Sequence, residues 1–277
     1  KKESDFLAYF EEKTKVKYQK WGIVYMHFKN FCNGRCLMKD VTIGLCNDFR
    51  NYILNIKVKQ TGKTIARNSA AGYWSTFRAL LKMAYKEKWL RENINDYLDR
   101  IDWEEPKINY LEIEEVKRLA ATPCKVDVLK RASLFACMTG LRISDILQLK
   151  WEDIELSPDG GYCMRIRTQK TKTQATLPIS EEAISYCGDR TRGLVFKGFS
   201  RAHTRQPFKQ WLKDAGITKK MTFHGLSHTF ATLLVTNGTD IYTVSKMMTH
   251  KNVGTTQIYA EVASSKKRNA SNSISLK

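Results

Sequence analysis

The chain has 277 residues, 42% of them hydrophobic, and carries 47 lysines and arginines against 28 acidic residues, a net charge of +19. That length accommodates two domains with a core each, and neither a membrane-spanning apolar run nor a signal peptide is present. Seven cysteines at irregular spacing fit a reducing cytoplasm better than a disulfide scaffold. The positive charge is not a detachable tail: residues 1–106 hold 20 basic and 13 acidic side chains, and residues 107–277 hold 27 and 15. A field spread over the whole fold favours a nucleic acid, through counterion release as lysines and arginines meet phosphates; ribosomes and acidic membranes are the blander partners. The opening Lys1-Lys2, without an initiator methionine, reads as the start of a fragment.

Phe6, Leu7 and Phe10, then Tyr18, Trp21, Val24, Tyr25 and Phe28, predict one or two helices over 4–31, ended by the Asn33-Gly34 turn. Cys32 and Cys36 lack a second Cys/His pair at zinc-finger spacing and read as thiols around a turn. Leu45, Phe49, Tyr52, Ile53 and Ile56 predict a helix over 45–56. A long helix is then expected over 64–88, with Tyr73, Phe77, Leu80, Leu81 and Ala84 inward. Arg67, Asn68, Ser69 and Tyr73 near its start are candidate phosphate or groove contacts, with solvated turn residues as the alternative. Residues 101–110 read as a wet linker in which Pro106 discourages helix, dividing the chain into domains 1–105 and 106–277.

Beyond the linker, a helix opens after Leu111-Glu112, and a strongly apolar helix covers 126–138 until Thr139-Gly140 breaks it. Ser144-Asp145 reads as the cap of a short following helix. Arg142 lies between the two; in apolar surroundings it needs either a bound anion or a partner such as Asp145. Met164, Ile166 and Thr168 alternate with Arg165, Arg167 and Gln169, and Ala175, Leu177 and Ile179 with Thr176 and Pro178. This is a β-hairpin with Lys170-Thr171-Lys172-Thr173 at its tip. Helices are expected over 181–187 and 206–215, around an Arg- and Lys-rich loop, 190–205. Arg201, Arg205, Lys172, Lys219 and Lys220 join the candidate DNA contacts. The predicted fold class is mainly α with a small β-hairpin or sheet, and residues 264–277 read as a mobile tail.

Residues 222–259 hold the densest pattern. His224, Leu226, His228, Thr229, Phe230 and Ala231 are followed by Met248-Thr249-His250, Thr255-Thr256, and Tyr259 nine residues after His250. This resembles the C-terminal signature of the tyrosine recombinases, the integrase family, which runs H-x-L-R-H-T-F-A, L-G-H and then a nucleophilic tyrosine. Thr139-Gly140-Leu141-Arg142-Ile143-Ser144-Asp145 is similar to the family's T-G-x-R-x-x-[DE], which implies that Arg142 is its first catalytic arginine. A family lysine on a β-turn corresponds best to Lys170, eight residues before Pro178, with Lys172 as runner-up. The resemblance covers 111–262 by motif and 1–105 by general character. It implies a helical core-binding domain, a mixed α/β catalytic domain, and an arm-binding domain upstream. One position departs: Ser227 stands where the family carries its second catalytic arginine.

The resemblance implies DNA cleavage through a 3′-phosphotyrosine and rejoining without metal, cofactor or ATP. Tyr259 would attack, Arg142 would hold two non-bridging oxygens, His224 and His250 would donate to them, and Lys170 would protonate the leaving 5′ oxygen. His224 could also take the tyrosine proton. A core role is the alternative for Tyr259, and Tyr242 is the next candidate nucleophile. His224 and His228 have the spacing of a zinc pair, but a zincin needs glutamate where Gly225 stands; His228 is expected to face the core or a helix neighbour. A neutral serine for an arginine costs about 3 kcal/mol at the transition state, roughly a hundredfold in rate. Either Lys219 or Lys220 substitutes naturally, or the chain is a disabled version of a standard enzyme. The implied partners are double-stranded DNA attachment or core sites, further copies of the chain on DNA (dimer to tetramer) and accessory DNA-bending proteins, with no membrane, at the bacterial nucleoid. A basic helical architectural protein and a type IB topoisomerase-like enzyme are the other readings.

Overall fold

In the first of two compact units, Lys1–Pro106, four helices close around interlocked aromatic rings. They are α1 (Phe6–Val16), α2 (Lys20–Phe31), α3 (Ile43–Leu54) and α4 (Arg67–Lys86). Asp5 accepts from the Leu7 and Ala8 amides and starts α1; Thr42 does the same for α3 through Leu45. Phe28, Phe49 and Phe77, one from each of three helices, meet with centroids 4.8 to 5.0 Å apart, Phe49 edge-on to the other two. This computed structural model describes residues 3–105, 108–168 and 174–262; the hairpin tip with Lys170 and Lys172 and the tail 264–277 lie outside them.

The expected linker begins later than its composition indicates. Trp74 Nε1 donates to the Asp99 carbonyl (2.8 Å), Arg67 Nε to that of Asp102 (3.1 Å), and Asn68 exchanges two hydrogen bonds with the backbone of Glu104 (2.8 and 2.9 Å). Residues 99–104 are thereby strapped along α4, because their backbone groups find side-chain partners there instead of water.

In the second unit, Lys107–Lys277, α5 (Ile113–Ala121), α6 (Asp127–Thr139) and the one-turn α7 (Ile143–Ile146) lead into an antiparallel sheet. Its order is β1 (Ile154–Leu156), β2 (Tyr162–Arg167) and β3 (Gln174–Ile179), with Met164 opposite both Ile154 and Leu177. Met164, Ile166, Leu177 and Ile179 are buried and Arg165, Arg167, Thr176 and Pro178 are exposed, as alternation requires. β1 escapes the sequence pattern because three residues are too few to establish a period. Ser144 and Asp145 lie inside α7, and Arg142 is the extended residue that caps it; the spacing placed that cap two residues late. α8 (Glu181–Ser185), α9 (Gln206–Asp214), α10 (His224–Thr236), α11 (Ile241–Met247) and α12 (Gln257–Val262) follow. No helix among the described residues is long and apolar enough to cross a membrane.

Two left-handed residues place the functional segments. Gly140 (φ 69°) ends α6, and a Cβ there would stand 2.5 Å from Phe230 Cδ1 and 2.8 Å from Met248 Sδ. Thr249 (φ 54°) ends α11 in a Schellman turn: its amide donates to the Lys246 carbonyl and that of His250 to Ser245, both at 3.0 Å. A β-branched residue is strained at positive φ, where glycine is the usual choice.

Opposite outcomes are expected for these positions in denaturant titrations of the second unit. Gly140→Ala combines overpacking with strain and should destabilise by about 2–4 kcal/mol. Thr249→Gly relieves strain of about 1–3 kcal/mol against a smaller entropic loss, and should stabilise by about 1 kcal/mol.

Candidate active site

The site is assembled on α10, a helix without a single acidic or basic side chain other than its two histidines. Its first turn is gripped by the chain leaving the interdomain segment. A Cβ on Gly225 would lie 3.0 Å from the Asn109 carbonyl oxygen, and the Leu111 amide donates to Thr229 Oγ1 (2.9 Å). Glycine is required here by that close backbone approach, which also leaves no room for the glutamate of a zincin. His224 is exposed at the first helical position, where the amide dipoles of a thirteen-residue helix favour an anion. Its ring meets that of His228, one turn on, edge to face with centroids 4.7 Å apart.

Tyr259, near the start of α12, is only 2 % exposed. Its ring belongs to a small apolar cluster with Phe230, Ala231, Val235, Val244 and Met248. The ring thus has the core placement weighed for this tyrosine, while its hydroxyl meets a polar partner. Tyr259 Oη lies 2.7 Å from His228 Nδ1. Burial pushes the phenol up to about 12, and the charge of Arg142 pulls the other way. At neutral pH the phenol therefore keeps its proton. Arg142 itself is half-buried, projected from the turn that Gly140 starts. His250 Nδ1 is 2.8 Å from Thr256 Oγ1, and the Thr256 carbonyl accepts from the Tyr259 amide (3.0 Å). One threonine thus couples the orientation of His250 to the start of the helix that bears Tyr259.

The resemblance allowed His224 to take the tyrosine proton; in the fold, the His228 ring is at hydrogen-bond distance from the phenol. The i, i+4 relation of the two histidines shows that they share a face, but no spacing rule reaches the 31 residues from His228 to Tyr259. Ser227 is also 2 % exposed, and its Oγ donates to the His224 carbonyl (2.8 Å). Lys219 is exposed but held by Glu115 (2.5 Å) and by the Tyr110 carbonyl (3.3 Å); Lys220 is exposed. Arg201, Arg205 and Ser69 are exposed, whereas Arg67 and Asn68 hold residues 102–104. Tyr73 is half-buried with its ring 5.8 Å from His27. Tyr242 is 58 % exposed on α11, with Lys246 Nζ 5.1 Å from its ring centre.

Residues 109–266 match the model of the phage integrase family, and residues 5–98 that of the phage integrase SAM-like domain. The tyrosine recombinase XerD of Staphylococcus epidermidis is 28% identical over 234 residues, 77% of this chain and 76% of that protein. XerD of Halalkalibacterium halodurans is 32% identical over 205 residues, 65% of this chain and 67% of its own. Among solved structures, XerH bound to a palindromic difH substrate in a post-cleavage complex has a TM-score of 0.69 at 17% identity, covering 91% of this chain and 78% of that one. The λ integrase fragment 75–356, a dimer bound to a COC′ core site, has a TM-score of 0.68 at 18% identity, covering 92% and 95%. At such identities the structural likeness speaks for the fold alone. The family model spans more than half of the sequence, and the chain therefore belongs to the phage integrase family, the tyrosine recombinases.

Proposed function

We propose that this chain cleaves and rejoins duplex DNA at specific sites through a 3′-phosphotyrosine on Tyr259, integrating or excising a mobile element. The observation that carries the reading is the contact of Tyr259 with His228 on α10, beside His224 and within reach of the charge of Arg142, with His250 tied through Thr256 to the start of α12, which bears Tyr259. Arg142 offers a planar fork for two phosphate oxygens, and the start of α10 adds amide dipoles of the right sign. His224 and His250 donate to the phosphorane, where charge develops. Lys170 protonates the leaving 5′ hydroxyl. Residues 1–105 act as the core-binding domain and 106–277 as the catalytic domain, with phosphate contacts from Ser69, Tyr73, Lys172, Arg201, Arg205 and Lys220. Several copies, a dimer to a tetramer, assemble on the attachment or core site, with accessory DNA-bending proteins. Tyr259 is almost wholly covered in the DNA-free chain, so α12 must yield to let a phosphate reach its oxygen.

Ser227 removes one permanent charge from this set. Because Lys219 is engaged by Glu115, Lys220 is the remaining candidate of the two to supply it.

Tyr259→Phe keeps the buried ring and deletes the attacking oxygen. It should abolish the covalent adduct on nicked suicide duplexes with a randomised core while leaving duplex binding within a few-fold of the parent in gel retardation. An adduct that persists would move the nucleophile elsewhere, with exposed Tyr242 next in line. In single-turnover cleavage, Ser227→Arg should raise the rate by about 10- to 1000-fold, since an arginine at i+3 from His224 can reach the same phosphate. A flat or slower rate would mean that another cation already fills the place, to be sought by substituting Lys220.

A further inference from the structure

The fold places the His228 ring against the oxygen of the proposed nucleophile. Its Nδ1 stands 2.7 Å from Tyr259 Oη, with the two ring centroids 5.7 Å apart. The phenol ring is enclosed by aliphatic and aromatic neighbours, so its O–H needs an acceptor and Nδ1 lies at hydrogen-bond distance. In the neutral imidazole one nitrogen donates and the other accepts. An Nδ1 that receives the phenolic hydrogen leaves the ring's own proton on Nε2. His224 packs edge to face on the same ring, and Arg142 acts on Tyr259 from the turn after α6.

We propose that His228 is a catalytic residue that accepts the Tyr259 proton during DNA cleavage and returns it during rejoining. This rests on the phosphotyrosine reading above and assigns the base within it. As the Oη–P bond forms and the P–O5′ bond breaks, the phenolic proton passes to His228 Nδ1. The imidazole becomes an imidazolium, and the departing 5′ oxygen takes a proton from the separate acid of the proposed function above. In rejoining, the 5′ hydroxyl gives up its proton to that conjugate base, the P–O5′ bond reforms, and the imidazolium reprotonates the released phenolate. A phenol that stays protonated at rest is a poor nucleophile, and a base positioned on its hydrogen removes the proton as the new bond makes it acidic. The anionic phosphorane offsets the positive charge that appears beside Arg142.

The resting geometry can be checked without DNA. In the full chain labelled with 15N-histidine, His228 should be the Nε2–H tautomer, with its Nδ1 resonance in the unprotonated range, and Tyr259→Phe should shift that resonance. A protonated Nδ1 would make the ring a donor to the phenol and would overturn the proposal. The reaction can be read on the same randomised suicide duplexes. His228→Asn keeps an amide oxygen near the Nδ1 position but cannot take up a proton. It should slow adduct formation about 100-fold or more, with duplex binding little changed. The defect should persist on duplexes with a bridging 5′ sulfur, whose leaving group needs no proton. An unimpaired His228→Asn protein, or a defect erased by the sulfur substrate, would count against the base. If neither the parent chain nor Ser227→Arg forms an adduct, the recombinase reading itself fails, and the tautomer measurement still decides whether His228 accepts from Tyr259.

Discussion

The second unit depends on how closely three segments approach one another at Gly140. Phe230 from α10 and Met248 from the end of α11 both reach the space where a side chain at 140 would stand. The contact ends α6 in a left-handed turn and sends the chain into Arg142. The same ring of Phe230 and the same sulfur of Met248 then line the cluster that holds Tyr259. Residues 140, 230, 248 and 259 are far apart in the chain, yet one packing knot sets their spacing. Closely packed interiors are not continuously deformable, so the knot transmits a fixed geometry to Arg142, His228 and His250.

Placed on that frame, α10 combines two demands that oppose each other. Its buried side must be apolar to pack against α6, and it carries Leu226, Phe230, Ala231 and Val235 for this. Its N-terminal end, in the proposed reaction, must present polar groups to an anion. The helix meets both without a permanent charge, using amide dipoles and two imidazoles. Tyr259 shows the cost of such surroundings. Burial keeps its proton on, and a single arginine nearby does not reverse that. An acceptor for the proton is therefore as necessary as a cation for the phosphate.

The first unit obeys simpler physics. Aromatic rings from α1, α2, α3 and α4 fill its interior, and the edge-on pairs among them add geometric selectivity to area burial. The polar start of α4 serves structure: Arg67 Nε and Asn68 satisfy backbone groups of 102–104. Positive charge near a helix start is thus not by itself a phosphate site, since a carbonyl can claim the same donors first.

The amino-acid sequence by itself determined most helices of both units, though not α11 or α12, together with the β2–β3 alternation and the family signature. Each rests on local spacing, with apolar residues at three and four or at two, and a fixed interval from His250 to Tyr259. β1 was too short to have a period, and the cap of α7 was displaced because Arg142, with no favourable capping side chain, takes that role through its backbone. Tertiary structure alone decided which groups meet. It bonded His228 to the phenol, gave Lys219 to Glu115, strapped 99–104 onto α4, and set Thr249 in a left-handed turn. Such pairings cross 25 to 118 residues of chain, from Trp74–Asp99 to Leu111–Thr229. They follow from which surfaces pack, a many-body outcome that no spacing along a single helix or strand encodes.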